Sequence, residues 1–238
     1  YLRNLKAPPQ THFLKHYQRI FILLVGLLGW SLNLAAQDLD SLLRVVHDRD
    51  QAVREEVVRL SQQMPPAVDS LMAAYARMQA VDAENQRVVS DLLEGDGWPE
   101  GISDEASETI WLVIDHADLE MQRRWMPLIE EQMAAGRVSK SSYATLLDRI
   151  LMREKRPQRY GTQTVSFTRM VAGDSSRMER QCWLWPVEEP ARLDSLREAM
   201  ELMPIGEYLR AVEEVYGSPC RWDPLLDVEQ LEALRAGE

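Results

Sequence analysis

Cysteine and histidine are scarce in this sequence, two and four among 238 residues. His12 and His16 fall in the first 36 residues, which leaves His47 and His116 for all the rest. The spacing of Cys182 and Cys220 fits no ligand motif, so no metal centre is expected, and no cofactor either. The G-x-S-x-G elbow, the phosphate-binding glycine loop, the dinucleotide fingerprint and H-E-x-x-H are all absent. A serine or cysteine nucleophile, a bound nucleotide and a zinc protease therefore lack their usual signatures. Long apolar runs are missing too. The longest, Ile20–Leu32, has about 13 residues, against the roughly 20 that a membrane-spanning helix needs.

Negative charge is missing only at the start. The first 36 residues carry Arg3, Lys6, Lys15 and Arg19 and no Asp or Glu. The whole chain has a net charge of −11, so removing those four cations leaves −15 for residues 37–238. A surface that acidic repels nucleic acid and anionic lipid heads, which makes neither an expected partner. The cationic start followed by the apolar run, then Ala35 and Ala36, reads as a signal peptide over residues 1–36. The alternative is an uncleaved N-terminal anchor. Residues 37–238 are then one exported, periplasmic or secreted, mostly helical domain, with no stable membrane span after cleavage. Outside the cytoplasm Cys182 and Cys220 either pair or stay as buried thiols. Pairing would enclose 37 residues and contribute about 3 to 4 kcal/mol.

Apolar residues at three- and four-residue steps predict a first helix over 38–63, with Leu39, Leu42, Leu43, Val46, Val53, Val57 and Leu60 on its buried stripe. His47, Asp50, Gln51 and Arg54 form a second, polar stripe. Asp50 and Arg54 border the apolar face, but the favoured reading is an exposed i, i+4 pair. Pro65 and Pro66 separate this helix from a second over 67–94, which Gly95 stops. Trp98 is expected to plug a core edge. A third segment, 104–135, holds Trp111, Asp115, His116, Asp118, Gln122 and Trp125. On an unbroken helix His116 points about 100° away from the Asp115 stripe. A break at Asp118 would make that residue a cap and let His116 turn inward. Another helix covers 139–156, with Asp148 and Arg149 in its middle.

Residues 164–172 and 177–187 then lean towards strand and predict an antiparallel hairpin whose loop exceeds two residues. Helical pattern returns over 190–202 and 205–216, and weakly over 223–235. The fold class is mainly α, an antiparallel helical bundle with a small β-hairpin inserted before the C-terminal helices.

Several short segments carry a resemblance in their order and spacing: DQAVR (50–54), GWP (97–99), DHAD (115–118), DR (148–149), QRYGTQ (158–163), then Pro186, Asp194, Arg197 and the Pro204 to Tyr208 segment. Together they resemble an uncharacterised bacterial family, domain of unknown function 6624, over about residues 40–210. The family usually shows Gln where this chain has Asp115. The resemblance implies a fold and a set of recurring polar residues, and no reaction.

His116 is the sharpest candidate for chemistry, because imidazole moves protons near neutral pH. Asp118 and Asp148 are the carboxylates that would work with it. Asp50, Gln51, Arg54, Gln122, Arg149, Gln158, Tyr160 and Gln163 are candidate binding residues. It is the resemblance that raises Asp148 and Arg149, since adjacent helical residues do not face each other. Each also has a plain structural role open to it: an interhelical hydrogen bond for His116, a helix cap for Asp118, and satisfaction of its own backbone for the 158–163 connector. Two functional readings follow. One is a module that binds a polar small molecule or a protein partner, or is structural. The other is a hydrolase-like enzyme using His116 and an Asp on a polar extracytoplasmic substrate such as a cell-wall fragment.

Overall fold

The computed structural model describes the backbone of residues 10–63, 67–95, 97–171 and 174–236, and side chains from Ala36 onward apart from 170–177 and 216. Pro65, Pro66 and Gly173, where turns were expected, lie outside the described residues. So do the side chains of the Ile20–Leu32 run.

Helix α1 (Gln10–Ser61) is continuous across Ala36, where the pattern placed the first helix start only at residue 38. No proline occurs between Pro9 and Pro65 to interrupt it. Helix α2 (Val68–Gly95) returns against α1. The ion pairs Arg49–Glu84, Arg54–Asp82 and Arg77–Glu56 run in opposite sequence directions, so the two helices are antiparallel. Four apolar positions of the expected helical stripes are instead on the surface. Leu42 is 44% exposed, and Val68, Met72 and Tyr75 are exposed as well. For the three α2 positions the reason is that the far end of the α1–α2 pair buries only Val57, Leu60 and Ala74, with Leu71 and Met78 beside them.

The 104–135 segment is broken. Helix α3 (Asp104–His116) begins at Ser103, whose side chain accepts from Ala106 N. Ala117 and Asp118 are extended, and Asp118 Oδ1 accepts from Met121 N at 2.9 Å to start α4 (Leu119–Ala134). Asp118 is thus an N-cap, the arrangement that satisfies an orphan amide of the new helix. Helix α5 (Lys140–Arg153) is capped in the same way by Ser139. The main core lies among these five helices: Leu43 and Val46 of α1, Val89 and Leu93 of α2, Ile110 and Ile114 of α3, Ile129 of α4, and Leu146 of α5. Trp98 joins it at 8% exposure, as its position before Pro99 suggested.

Strands β1 (Thr164–Val171) and β2 (Asp174–Leu184) form the antiparallel hairpin. Val171 opposes Asp174 after an irregularity at Met170, and the loop expected between the strands falls on residues outside the described ones. A third strand had no sequence signal. β3 (Cys220–Arg221) pairs parallel to the far edge of β2. A single 3₁₀ turn (Pro190–Arg192) leads into α6 (Leu193–Ala199), followed by α7 (Ile205–Tyr216) and α8 (Val228–Ala236). Leu184, Leu193 and Ile205 form a second core beneath the sheet, against Tyr208, Leu209 and Trp222.

Candidate functional site

Asp50 and His116 are brought together from 66 residues apart. Asp50 lies one turn before Arg54 on α1, and its side chain is 1% exposed. His116 Nδ1 stands 3.0 Å from Asp50 Oδ1. The break at Asp118 permits this, because α3 ends at His116 and its ring is free to turn towards α1. Arg54 Nη1 sits 2.9 Å from the same Asp50 oxygen. Gln51 Nε2 donates to Asp50 Oδ2 at 2.8 Å, and Arg54 Nη2 reaches Asp82 Oδ1 of α2 at 3.0 Å. The exposed i, i+4 pair favoured for Asp50 and Arg54 is therefore corrected: both are held inside a five-residue network with Gln51, Asp82 and His116. Helical pitch showed that they border the apolar face but not which residues cover them. Asp82 was not anticipated, since nothing in its sequence context distinguishes it from other surface acids of α2.

Burial pushes the Asp50 carboxyl up, but the hydrogen bond and charge of His116, then Arg54 and Gln51, outweigh it and leave it below the usual carboxylate value. Asp50 is thus an anion whose acceptors face donors on three residues. An anionic acceptor fixes the neighbouring tautomer: His116 Nδ1 carries the proton and Nε2 the lone pair. Nε2 makes no hydrogen bond among the described residues, and the side chain keeps 20% of its surface.

A second ion pair lies on the other side of α3. Asp115 Oδ1 meets Arg149 Nε at 2.8 Å, close enough for an ion pair although not aligned as a hydrogen bond. Burial pushes the Asp115 carboxyl up, and the charges of Arg149 and His116 offset this only in part. Gln122, fully buried on α4, donates to Asp115 O at 2.7 Å and leaves its own Oε1 without a partner. Arg153 Nη1 donates to Ala117 O at 2.6 Å, which ties the α3–α4 break to α5. Arg153 is the other residue that sequence reading passed over.

Asp148 goes elsewhere. It faces away from Arg149, is 0% exposed, and accepts from the connector between α5 and β1. Its donors are Arg159 N, Tyr160 N, Thr162 N and Thr162 Oγ1, at 2.7 to 3.1 Å. Gln158 Nε2 donates to Gln163 O and Trp185 O, and Gln163 N donates back to Gln158 Oε1. Gln163 Nε2 reaches Thr145 O. Arg197, 1% exposed, donates to Tyr160 O, Gly161 O and Met203 O, and Tyr208 Oη donates to Thr162 O. Gly161 has a left-handed φ of 66°, and a Cβ there would stand 3.3 Å from Leu193 Cδ1. Asp148, Gln158, Tyr160 and Gln163 therefore belong to a closed network that holds the connector, separate from His116. Asp118, occupied in capping α4, is not the partner of His116 either.

A groove of about 770 Å³ runs between α1 and α3. Asp40, Arg44, His47 and Gln51 line it from α1, and Glu108 and Trp111 are among its residues on α3. Gln51 links it directly to the Asp50 carboxylate. His116 follows the lining residue Leu112 by one turn, so α3 directs it towards the same face. A smaller cleft of about 440 Å³ between α2 and α4 includes Asp118. Among the described residues no group of three or more His, Cys, Asp or Glu is placed to hold a metal ion.

Comparison with known proteins adds the family and nothing further. No curated protein and no solved structure shows significant similarity to the chain. One family model matches, over residues 37–221, and it covers the α1–α5 network, the connector and the sheet alike. The chain therefore belongs to the family of unknown function DUF6624.

Proposed function

We propose that this chain is an exported domain that binds a polar ligand at the α1–α3 groove, with His116 as its proton-transfer group. The observation that carries this is the partly exposed His116 ring, with Nδ1 on buried Asp50 and Nε2 without a hydrogen bond among the described residues. A carboxylate on Nδ1 orients the ring and stabilises the imidazolium that forms when Nε2 accepts a proton. No hydroxyl or thiol bonds the ring among the described residues. The proton that Nε2 takes would come from water or from the ligand, which suits hydrolysis by activated water or elimination rather than a serine-type acyl transfer. A polar extracytoplasmic substrate such as a cell-wall fragment fits this chemistry and the acidic residues Asp40, Asp104, Glu105 and Glu108 that line the groove.

The binding reading is tested by thermal shift against a library of cell-wall fragments. A ligand at 100 times its Kd stabilises the native state by about 2.7 kcal/mol. The expected result is a fragment that raises the melting temperature of the wild type and not of Gln51→Ala. His116→Ala should keep the fold and lose turnover of that fragment. Loss of the fold in His116→Ala would instead support a purely structural role, the reading that the closed Asp148 network favours for the connector.

Export rests on Lys15 and Arg19 before the Ile20–Leu32 run and on Ala35 and Ala36 after it. N-terminal sequencing of the protein recovered from cells should begin at or near Gln37. Recovery of residues 15–30 on the mature protein would contradict it. Among the described residues no helix is long and apolar enough to cross a membrane.

A further inference from the structure

We propose that Cys182 and Cys220 are a covalent clasp, closing to a disulfide that staples β3 and the helical tail behind it to the edge of β2. The chain has no other cysteine, so neither has an alternative intramolecular partner. The two residues are Cα partners in the β2–β3 pairing, and their Sγ atoms are 2.7 Å apart. Cys182 is buried and Cys220 is half-buried, so the pair is reached from the Cys220 side. Directly opposed strand positions bring Cα atoms into the range a disulfide spans.

The clasp has something to hold. β3 is two residues long, and the next rung joins Trp183 to Arg221. The Arg221 guanidinium lies 5.7 Å from the Trp183 ring centroid. Beyond it the tail is anchored by Trp222 against the second core, by the fully buried Leu231 and by an exposed Lys155–Glu232 pair at 3.5 Å. A two-residue parallel rung is a weak tether by itself. Covalent closure would make it permanent.

The thiols are set up to react. The hydrogen bond from Cys220, opposed by burial and helped by Ser166 and Thr164, brings the Cys182 thiol down to about 6, while the same contact pushes Cys220 far up. The pair thus sheds one proton near neutrality and shares the second. The oxidant is a disulfide, either of a small thiol or of a thiol–disulfide oxidoreductase. As the Cys220 sulfur attacks it, Cys182 Sγ takes the shared proton; a mixed disulfide forms, and the departing oxidant thiolate takes that proton from Cys182 and leaves as a thiol. The Cys182 thiolate so restored attacks Cys220 Sγ, and the second oxidant thiolate departs and picks up the proton that the pair had shed to solvent. The protein loses two electrons and two protons, and the oxidant gains them as two thiols.

The test uses the full chain in buffers of reduced and oxidised glutathione, with free thiols trapped by a maleimide and counted by intact mass. The expected result is no trapped thiol on the oxidised wild type and two on the reduced one, both monomeric. Cys182→Ser and Cys220→Ser should each keep one trappable thiol, or carry one glutathione, under every buffer. Reduction should lower the melting temperature of the wild type by about 10 °C and leave both variants unmoved. It should also open tryptic cleavage at Arg221 and Arg235. Two trappable thiols in excess oxidised glutathione, or oxidation only to intermolecular dimers, would overturn the clasp. Closure in the cell depends on the export proposed above, but the titration does not, so the two readings fail separately.

Discussion

Asp148→Ala is expected to lose most of the protein's stability. The carboxylate is fully buried and accepts from three backbone amides and the Thr162 hydroxyl. Removing it leaves those donors unpaired where water cannot replace the acceptor, at about 1 to 3 kcal/mol for each buried group. The summed cost, about 4 kcal/mol or more, compares with a total stability of roughly 5 to 15 kcal/mol for a typical protein. Asp148→Asn keeps one acceptor oxygen and should fall between the variant and the wild type. Circular dichroism melts check this. A drop of less than about 5 °C for Asp148→Ala would show that the connector holds itself. Arg149→Ala is the control: it is adjacent in sequence, faces Asp115 instead, and should leave the connector intact.

Asp50→Asn is expected to weaken both the fold and the site. Arg54 and His116 lose a shared anion, and breaking a buried pair by removing one partner costs about 3 kcal/mol. Arg54 retains Asp82, which limits the damage. The effect should depend on pH in a definite direction. The folded Asp50 carboxyl sits below its ordinary value, so its stabilisation is fully present above the unfolded value near 3.9 and disappears as pH falls through the lower folded one. Urea melts of the wild type and Asp50→Asn should therefore differ most from neutral pH down to about pH 5 and converge below about pH 4. A difference that keeps growing below about pH 4, where the Asp50 carboxylate is being protonated, would contradict the placement of charge on Asp50.

Much of the fold was written in local pattern. The cap at Asp118, the cap at Ser139, the hairpin and the end of α7 at Tyr216 all follow from residue types within a few positions of one another. What local pattern could not supply was pairing across distance. The helical pitch set Asp50 at the edge of the apolar face, yet its burial depends on His116 and Arg54 closing over it, and His116 lies on another helix. Asp148 stood out as a polar residue in an apolar helix, which is equally the mark of a catalytic acid and of a carboxylate that gathers backbone amides. Only the path of the 158–163 connector separates the two. β3 left no trace because two residues cannot show an alternation. Most of the polar residues that carry the resemblance divide between two networks, one around Asp50 and His116 and one around Asp148 and Arg197, and their order along the chain does not reveal the division.

The most direct measurement is the tautomer of His116. In ¹⁵N-labelled protein at alkaline pH, the ring assigned by its loss in His116→Gln should carry its proton on Nδ1 and leave Nε2 bare. Asp50→Asn should release that preference. A wild-type ring protonated on Nε2 instead would mean that Asp50 does not orient His116, and the proton-transfer site proposed for this family member would fall.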